Sequence, residues 1–102
     1  MIINGDMQGT GGVEFATFRL RKGVTEADLL ALSRRVESEF LVQQSELIVH
    51  CLLRGADGLY ADLVMAPSQS LVEAYCQQWL HNEVAGEYLT LLDRNSVNMS
   101  FW

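Results

Sequence analysis

The feature that most restricts the fold is a pair of apolar segments joined by a short turn. Residues 46–54 and 59–66 are rich in leucine, isoleucine and valine, and several of these residue types favour β-strands. Between them lies a four-residue segment that contains Asp57-Gly58, the dipeptide that most strongly indicates a hairpin turn. Pro67 ends the second segment because proline cannot donate a hydrogen bond to a strand ladder. The centre of the chain is therefore predicted to form an antiparallel hairpin.

Helical periodicity flanks this hairpin on both sides. Thr25 and Asp28 have the spacing of a capping box, as do Ser70 and Glu73, which predicts one helix from about residue 25 to 40 and another from about residue 68. Gly86 is expected to interrupt the second helical region before a short further piece. The predicted apolar stripes are Leu29, Leu32, Val36 and Phe40 on the first helix, and Val72, Tyr75, Cys76, Trp79 and Leu80 on the second.

The outer segments complete the pattern. Residues 13–20 and 96–102 alternate in the manner of strands, whereas residues 1–12 contain four glycines and are predicted to be a flexible lead-in. The resulting order is strand-helix-strand-strand-helix-strand, which is the ferredoxin-like α+β arrangement. We predict a single domain over residues 13–102, with helices covering one face of a four-stranded antiparallel sheet.

Charge and composition exclude several classes of function. The 102 residues include 13 acidic and seven basic side chains, for a net charge of -6, so we expect binding neither to nucleic acid nor to an anionic membrane. The amino terminus has no signal-peptide pattern, and no apolar stretch approaches the ~20 residues that span a bilayer. Cys51 and Cys76 lie in apolar patterns that predict two buried free thiols. These features predict a cytoplasmic protein.

The second sheet face also requires a cover. In the first hairpin strand Ile48 and Leu52 lie on one side, while Val49, Cys51 and Leu53 lie on the other. A strand that is apolar on both faces is buried on both faces, and the predicted helices cover only one. A second copy of the chain is therefore expected on the other face. Two such sheets would enclose a barrel-like interior that holds either side chains or one small ligand.

Five stretches resemble the dimeric α+β barrel superfamily, namely residues 13–20, 23–24, 39–41, 57–62 and 96–99. That superfamily includes cofactor-independent quinol-type monooxygenases of antibiotic biosynthesis, haem-degrading monooxygenases and muconolactone-type isomerases. The Tyr60-Ala61-Asp62 sequence after Gly58 looks closest to bacterial members of unknown function with an aromatic-x-Asp motif at this point. The resemblance implies a ferredoxin-like fold and a homodimer.

Polar residues within otherwise apolar strands are the candidate site. His50, Tyr60 and Asp62 are the predicted catalytic residues, because an imidazole, a phenol and a carboxylate in a closed pocket can exchange protons with an enol, phenol or lactone. They are predicted to face the interior between two copies, with Ala61, Leu63 and Met65 facing the helices. The predicted ligand-binding residues are Glu14, Phe18, Ile48, Leu52 and Val64. Glu14 and Phe18 share one side of the first strand, and the alternation leaves open which side faces the interior. A structural pairing of His50 with Asp62 is the alternative.

Metal and cofactor sites are not indicated by the sequence. The two histidines have no zinc-site spacing. A haem-degrading relative would place an axial histidine on the second helix, an asparagine in the first strand and a tryptophan near the end of the third strand. Of these groups only a histidine, His81, is a candidate here, since the strand positions correspond to Glu14 or a neighbour and to Ala66. We expect neither a metal nor a cofactor.

Three functional hypotheses remain open at this point. The first is a dimer that binds a small aromatic or apolar metabolite, with or without cofactor-independent monooxygenase or isomerase chemistry. The second is a carrier for a lipid-like or aromatic ligand without turnover. The third is a structural dimer whose barrel is filled by its own side chains, for which the candidates are Phe18, Tyr60, Met99, Phe101 and Trp102.

Overall fold

The computed structural model of the protein describes residues 11–102. The predicted lead-in lies outside the described residues, except for its last two positions, and the first strand already begins at Gly12. The elements follow one another as β1 (Gly12–Arg19), α1 (Glu26–Glu39), β2 (Val49–Arg54), β3 (Leu59–Ala66), α2 (Gln69–Trp79), α3 (Glu83–Thr90) and β4 (Asn98–Phe101). Short 3-10 turns at Leu41–Gln43 and Arg94–Ser96 precede β2 and β4.

The four strands form one antiparallel sheet in the order β2-β3-β1-β4. The predicted ferredoxin-like order of elements is therefore confirmed. The predicted hairpin is present as well, and its turn places Asp57 at a φ of 54° and Gly58 at a φ of 78°. Both angles lie in the left-handed region that Asp-Gly turns accommodate. β2 begins three residues later than predicted and β4 is shorter at both ends, whereas β1 keeps its predicted length but is shifted by one residue toward the amino terminus.

Of the two capping boxes predicted from the sequence, the structure contains one. Thr25 Oγ1 accepts a hydrogen bond from the Asp28 backbone at 3.2 Å, and Asp28 Oδ2 accepts one from the Thr25 backbone at 2.9 Å, which confirms the first capping box. At α2 the predicted start near residue 68 is confirmed, but the predicted Ser70–Glu73 capping box is wrong, because Ser68 caps the helix by accepting from the Leu71 backbone. The predicted break at Gly86 was also wrong, since this glycine lies inside α3.

All three helices pack on one face of the sheet. In the strand register Ala16 pairs with Asp62 and Phe18 with Tyr60, and residues paired across a ladder point to the same face. Phe18 and Tyr60 belong to one buried cluster with helix residues, and its helix members are Leu29, Val36, Tyr75, Val84, Ala85 and Tyr88. The face that contains Phe18, Tyr60 and Asp62 is therefore the one that the helices cover.

The predicted orientation of the strands was therefore wrong. His50, Tyr60 and Asp62 lie beneath the helices, and the side chains that point away from them include Cys51, Leu63 and Met65. Strand alternation assigns residues to two faces but does not say which face the helices choose. On this face α1 and α3 supply hydrogen-bond partners for the polar residues, as described below. Phe18 and Tyr60 accordingly cannot fill an interior between two copies.

The open face of the sheet carries Phe15 on β1, Cys51 and Leu53 on β2, and Leu63 and Met65 on β3. Leu53 is 46% exposed, while the other four are partly buried by their neighbours. Within residues 11–102 no helix is long and apolar enough to cross a membrane.

Candidate functional site

A cavity of about 100 Å³ lies between the helix-covered face of the sheet and helices α2 and α3. A cavity of ~150 Å³ holds a benzene molecule in another protein, so an aromatic ligand would fill this smaller cavity and extend into its mouth. Leu80, Val97 and Met99 line it and are exposed to solvent, so they form an apolar rim at its mouth. The polar side chains that line it are Glu14, His50, Asp62, Tyr75, Cys76, Trp79 and Tyr88.

Asp62 is the centre of a hydrogen-bonded chain at the polar end of this cavity. Its Oδ2 accepts a hydrogen bond from the Tyr88 hydroxyl at 2.8 Å, and its Oδ1 lies 3.0 Å from His50 Nε2. The other ring nitrogen, Nδ1, lies 3.2 Å from Oε1 of Glu37 on α1. The His50 side chain is only 7% exposed, whereas Glu37 is 54% exposed. The imidazole therefore connects a carboxylate in the cavity with one at the surface.

The two carboxylates favour a protonated imidazole. Burial by itself lowers the pKa of His50, but the hydrogen bonds and negative charges of Asp62 and Glu37 outweigh it, so the pKa of His50 is raised above its ordinary value. Only the protonated ring carries a hydrogen on both nitrogens. In that form His50 donates to both carboxylates at once, which explains why both distances are within hydrogen-bonding range.

Glu14 is the titratable group that the cavity changes most within the physiological pH range. Burial, followed by the negative charge of Asp62, raises its pKa from 4.5 to about 7, although the charge of His50 acts in the opposite direction. Glu14 therefore exists as both acid and carboxylate near neutral pH. A group with a pKa close to the working pH is best suited to general acid-base catalysis.

The buried side-chain polar atoms that lack a hydrogen-bond partner among the described residues all belong to the lining of this cavity. They are Glu14 Oε2, the Tyr75 hydroxyl and Trp79 Nε1. Leaving such atoms unpaired costs about 1–3 kcal/mol each, so buried polar atoms normally have a partner. Three of them on one cavity are the arrangement expected of a site that a polar molecule occupies.

The two phenols at the site remain protonated. Burial, together with the negative charges of Glu14 and Asp62, raises the pKa of Tyr75 well above its ordinary range, and burial and Asp62 do the same for Tyr88. Cys76 also lines the cavity, and burial followed by the charge of Glu14 raises the pKa of its thiol. A protonated thiol is a poor nucleophile. In contrast to the prediction, Cys51 and Cys76 are only partly buried, although both are free.

Metal binding has no structural support within residues 11–102, where no three His, Cys, Asp or Glu side chains are grouped so that they could hold an ion. His81 lies beyond the end of α2 and is exposed. It does not line the cavity.

Comparison with known proteins identifies the fold. SnoaB, a cofactor-independent oxygenase from Streptomyces nogalater whose structure was determined as a mutant, has a TM-score of 0.71 at 15% identity over 90% of both chains. A dimeric ferredoxin-like protein of unknown function from Thermobifida fusca has a TM-score of 0.72 at 18% identity, over 100% of this chain and 98% of its own. An antibiotic biosynthesis monooxygenase has a TM-score of 0.65 at 11% identity, over 89% of this chain and 95% of its own.

The fold is ferredoxin-like. The resemblance predicted from the sequence is confirmed at this level, because the structural neighbours include monooxygenases of the antibiotic-biosynthesis type. No family model matches the sequence, and no curated protein does. The shared fold does not determine what the site does, so the function of the site must be inferred from its own residues.

The structure brings together five of the eight predicted site residues in the ferredoxin-like core. Three of them are polar, and two are apolar wall residues. The five cavity-lining residues are Glu14, Phe18, His50, Asp62 and Val64. Strand parity grouped His50, Asp62 and Val64 but assigned them to the wrong side of the sheet, and it left open whether Glu14 and Phe18 of the first strand join them.

The other three predicted residues lie elsewhere. Tyr60 stacks on Phe18 with ring centroids 6.0 Å apart, but its hydroxyl donates to Glu26 Oε1 at 3.0 Å, away from Asp62. Leu52 lies with Glu26 and Tyr60 in a separate surface groove. Ile48 precedes β2, is partly buried and does not line the cavity.

Tyr75, Trp79 and Tyr88 are site residues that the sequence did not reveal. Tyr75 and Trp79 lie in the predicted apolar stripe of α2, where aromatic rings are most simply explained as core. Their rings do pack in the core, with centroids 5.8 Å apart, but the polar ends line the cavity. Glu37 lies outside the predicted apolar stripe of α1, and nothing in the sequence links it to His50.

Proposed function

We propose that the protein binds a small, neutral and largely apolar molecule between the sheet and helices α2 and α3, and that Glu14 moves a proton on that molecule. The observation that carries this proposal is the group of unpaired buried atoms on Glu14, Tyr75 and Trp79 around one cavity. A pre-formed apolar pocket with a few inward polar groups is the usual form of a small-molecule site.

The unpaired atoms indicate the chemistry of the ligand. The indole N–H of Trp79 can only donate, and the protonated Tyr75 hydroxyl is available as a donor. Both would be satisfied by a carbonyl-type oxygen, while Glu14 would accept a proton from the ligand. An anionic ligand is disfavoured, because Glu14 and Asp62 place two carboxyl groups at the same cavity. A neutral compound with a carbonyl group meets these requirements.

The reaction that fits this arrangement is proton transfer next to a carbonyl. The Glu14 carboxylate would take a proton from the carbon beside the carbonyl, and the electron pair would move onto the oxygen held by Tyr75 and Trp79. Return of the proton to another position would complete an isomerisation that requires no cofactor. Donors placed where the oxygen gains negative charge would lower the barrier.

Oxygenation is the second candidate, favoured by the similarity to SnoaB, itself a cofactor-independent oxygenase. Its first step would be the same removal of a proton by Glu14. The resulting carbanion would then reduce dioxygen, which is the co-reactant and supplies the added oxygen atom as well as the oxygen of a water molecule. Glu14 is therefore the residue to test for either reaction.

Three probe molecules of nearly equal shape test the binding site. Acetophenone has a carbonyl oxygen, α-methylstyrene replaces it with a CH₂ group, and benzoate replaces the acetyl group with a carboxylate. We expect acetophenone to bind about fivefold more tightly than α-methylstyrene, since a hydrogen bond contributes about 1 kcal/mol. Benzoate should not bind above pH 7, where Glu14 is ionised. NMR titration of the labelled protein measures all three affinities.

Tyr75→Phe should reduce the preference for acetophenone without abolishing it, because it removes one of the two donors, leaves the ring in place and leaves Trp79 to donate. Tyr60→Phe is the matched control, since its hydroxyl donates to Glu26 outside the cavity. Equal affinities for acetophenone and α-methylstyrene in the unaltered protein would reject the donor role. Failure of all three probes to bind would reject the cavity as a ligand site.

We further propose that the open sheet face is covered by a second copy of the chain, as a homodimer. Phe15, Leu63 and Met65 form an apolar surface that no helix of the described residues covers. Exposed apolar patches of this kind mark interaction sites. The similar protein from Thermobifida fusca is described as dimeric, which supports this assembly here.

Native mass spectrometry should therefore detect a dimer, and Leu63→Asp should weaken it on the order of a hundredfold. Leu63 lies opposite both Phe15 and Cys51 at the centre of the open face, and a buried unpaired charge costs several kcal/mol. Val42→Asp is the control, because Val42 is 73% exposed and lies in the 3-10 turn before β2. A monomer in the unaltered protein would contradict the proposal.

A further inference from the structure

The strongest feature that the proposed reaction does not use is the contact between His50 and Glu37. Glu37 lies on α1, which contributes no residue to the cavity lining, yet its Oε1 is 3.2 Å from His50 Nδ1. On the opposite side of the ring, Nε2 is 3.0 Å from the cavity residue Asp62. The imidazole thus spans the wall between the cavity and the surface.

We propose that Glu37 and His50 form a proton outlet for the cavity, with Asp62 as its inner end and Glu37 as its outer end. This inference rests on the proposed function, since it assigns the path by which the site exchanges protons with water. In this scheme Glu37 and His50 are positioning and relay residues, and neither is required to touch the ligand.

The need for such a path follows from the shape of the site. A ligand that enters between Leu80, Val97 and Met99 would fill the mouth and exclude water from the polar end. Asp62 has a side-chain exposure of 14% and His50 of 7%, whereas Glu37 has 54%. Of the three linked groups, therefore, only Glu37 has free access to bulk water.

The transfer can be written so that protons balance. A proton that arrives at Asp62 bonds to Nε2 as the Asp62 O–H bond breaks, which gives the protonated ring described above. The Nδ1–H bond of that ring then breaks as an O–H bond forms on Glu37. Glu37 then releases the proton to water. The ring is left with its hydrogen on Nε2, and an inward transfer by the reverse steps restores it. A reaction that removes one proton and later returns one leaves the relay in its starting state.

Every titratable group that residues 11–102 place around the ring fits this assignment. Asp62 on β3 and Glu37 on α1 contact His50 directly, and Glu14 on β1 interacts with it through charge. Tyr88 on α3 reaches it only through Asp62. Tyr75 and Cys76 on α2 line the same cavity, but both remain protonated because burial and the nearby carboxylates raise the pKa of each. Within the described part of the chain the path therefore has one outer end.

Glu37→Gln is the decisive variant. The amide oxygen of glutamine can still accept the hydrogen bond from Nδ1, but the amide cannot accept and release a proton. We expect exchange of the His50 Nδ1–H with water, measured by saturation transfer on the ¹⁵N-labelled protein without ligand, to slow at least tenfold. Loss of the Glu37 charge also removes a cause that raises the pKa of His50. The lower pKa of His50 would by itself speed release of the proton, so slower exchange cannot result from the loss of the charge.

Glu39→Gln is the matched control, because it makes the same charge change two residues further along α1, where Glu39 contacts Arg35 instead of His50. Its exchange rate should equal that of the unaltered protein. An unchanged rate in Glu37→Gln, or equal slowing in both variants, would overturn the relay. Acetophenone affinity should be the same in both variants and the parent, so loss of probe binding in the parent would count against the proposed function instead.

Discussion

Asp62→Ala is expected to lower the free energy of unfolding by about 3 kcal/mol, the range found when one partner of a buried charged pair is removed. Asp62 accepts hydrogen bonds from the Tyr88 hydroxyl and from His50, and alanine leaves both donors without this acceptor. For a chain of about 100 residues the corresponding fall in melting temperature is roughly 15 °C. Urea unfolding at pH 7, followed by circular dichroism, measures the effect.

The control for this change is Glu73→Ala, on the exposed face of α2. It removes the same charge from the surface and should alter the free energy of unfolding by less than about 0.5 kcal/mol. Asp62→Asn should fall between the two, because asparagine retains one acceptor oxygen but no charge. An Asp62→Ala protein as stable as the Glu73→Ala protein would mean that the chain from Tyr88 to Glu37 does not hold in solution.

The architecture could be predicted because its signals are local. The Asp57-Gly58 turn, the Thr25 capping box and the proline after β3 each depend on residues within a few positions of one another. The order of elements then left few topologies to consider. Errors occurred where two local signals competed, as at Ser68 and Ser70, either of which has a side chain suited to cap a helix.

The position of the site could not be predicted because it depends on contacts between distant parts of the chain. Alternation grouped His50 with Ile48 and Leu52 but gave no reason to place this polar face under the helices. That choice depends on Tyr88 and Glu37, which lie 26 and 13 residues from their partners. Buried polar side chains are tolerated where such partners exist, and no periodic pattern identifies them.

The aromatic residues of α2 illustrate the same difficulty. The apolar stripe of a helix indicates which residues face inward, but it does not indicate whether their polar atoms have hydrogen-bond acceptors. Tyr75 and Trp79 pack against Phe40 as the stripe predicts. Their unpaired hydroxyl and indole N–H become evident only when the cavity is known. Whether an inward-facing residue belongs to the core or to a ligand site is therefore decided by whether its polar atoms have hydrogen-bond partners in the folded structure.

Glu14→Gln should make the protein more stable than its parent at alkaline pH but not at acidic pH. Burial raises the pKa of Glu14 from 4.5 to about 7 in the folded state, so the folded protein holds a proton that the unfolded chain has lost between these values. The stability that depends on this proton is fully present below pH 4.5 and is lost as the pH rises through about 7. Glutamine does not titrate and avoids this loss.

The magnitude follows from the size of the change in pKa. Each unit corresponds to about 1.4 kcal/mol, and the partial exposure of Glu14 reduces the total to about 2 kcal/mol. The difference in free energy of unfolding between Glu14→Gln and the parent should therefore shift by about 2 kcal/mol in favour of the variant between pH 4.5 and pH 8. Urea titrations across this range measure it, with Glu73→Gln as the control. A difference that stays constant with pH would exclude the raised pKa.

The same variant separates catalysis from simple binding. If Glu14 removes a proton beside a carbonyl, the protein should catalyse deuterium incorporation into the methyl group of acetophenone in D₂O, and Glu14→Gln should slow this at least tenfold, since general bases contribute factors of about 10² or more. Acetophenone affinity should change much less, because Tyr75 and Trp79 remain. A protein that binds acetophenone but exchanges no deuterium, before or after substitution, would have the behaviour of a carrier. Slow exchange in the variant together with retained binding would instead identify Glu14 as the base.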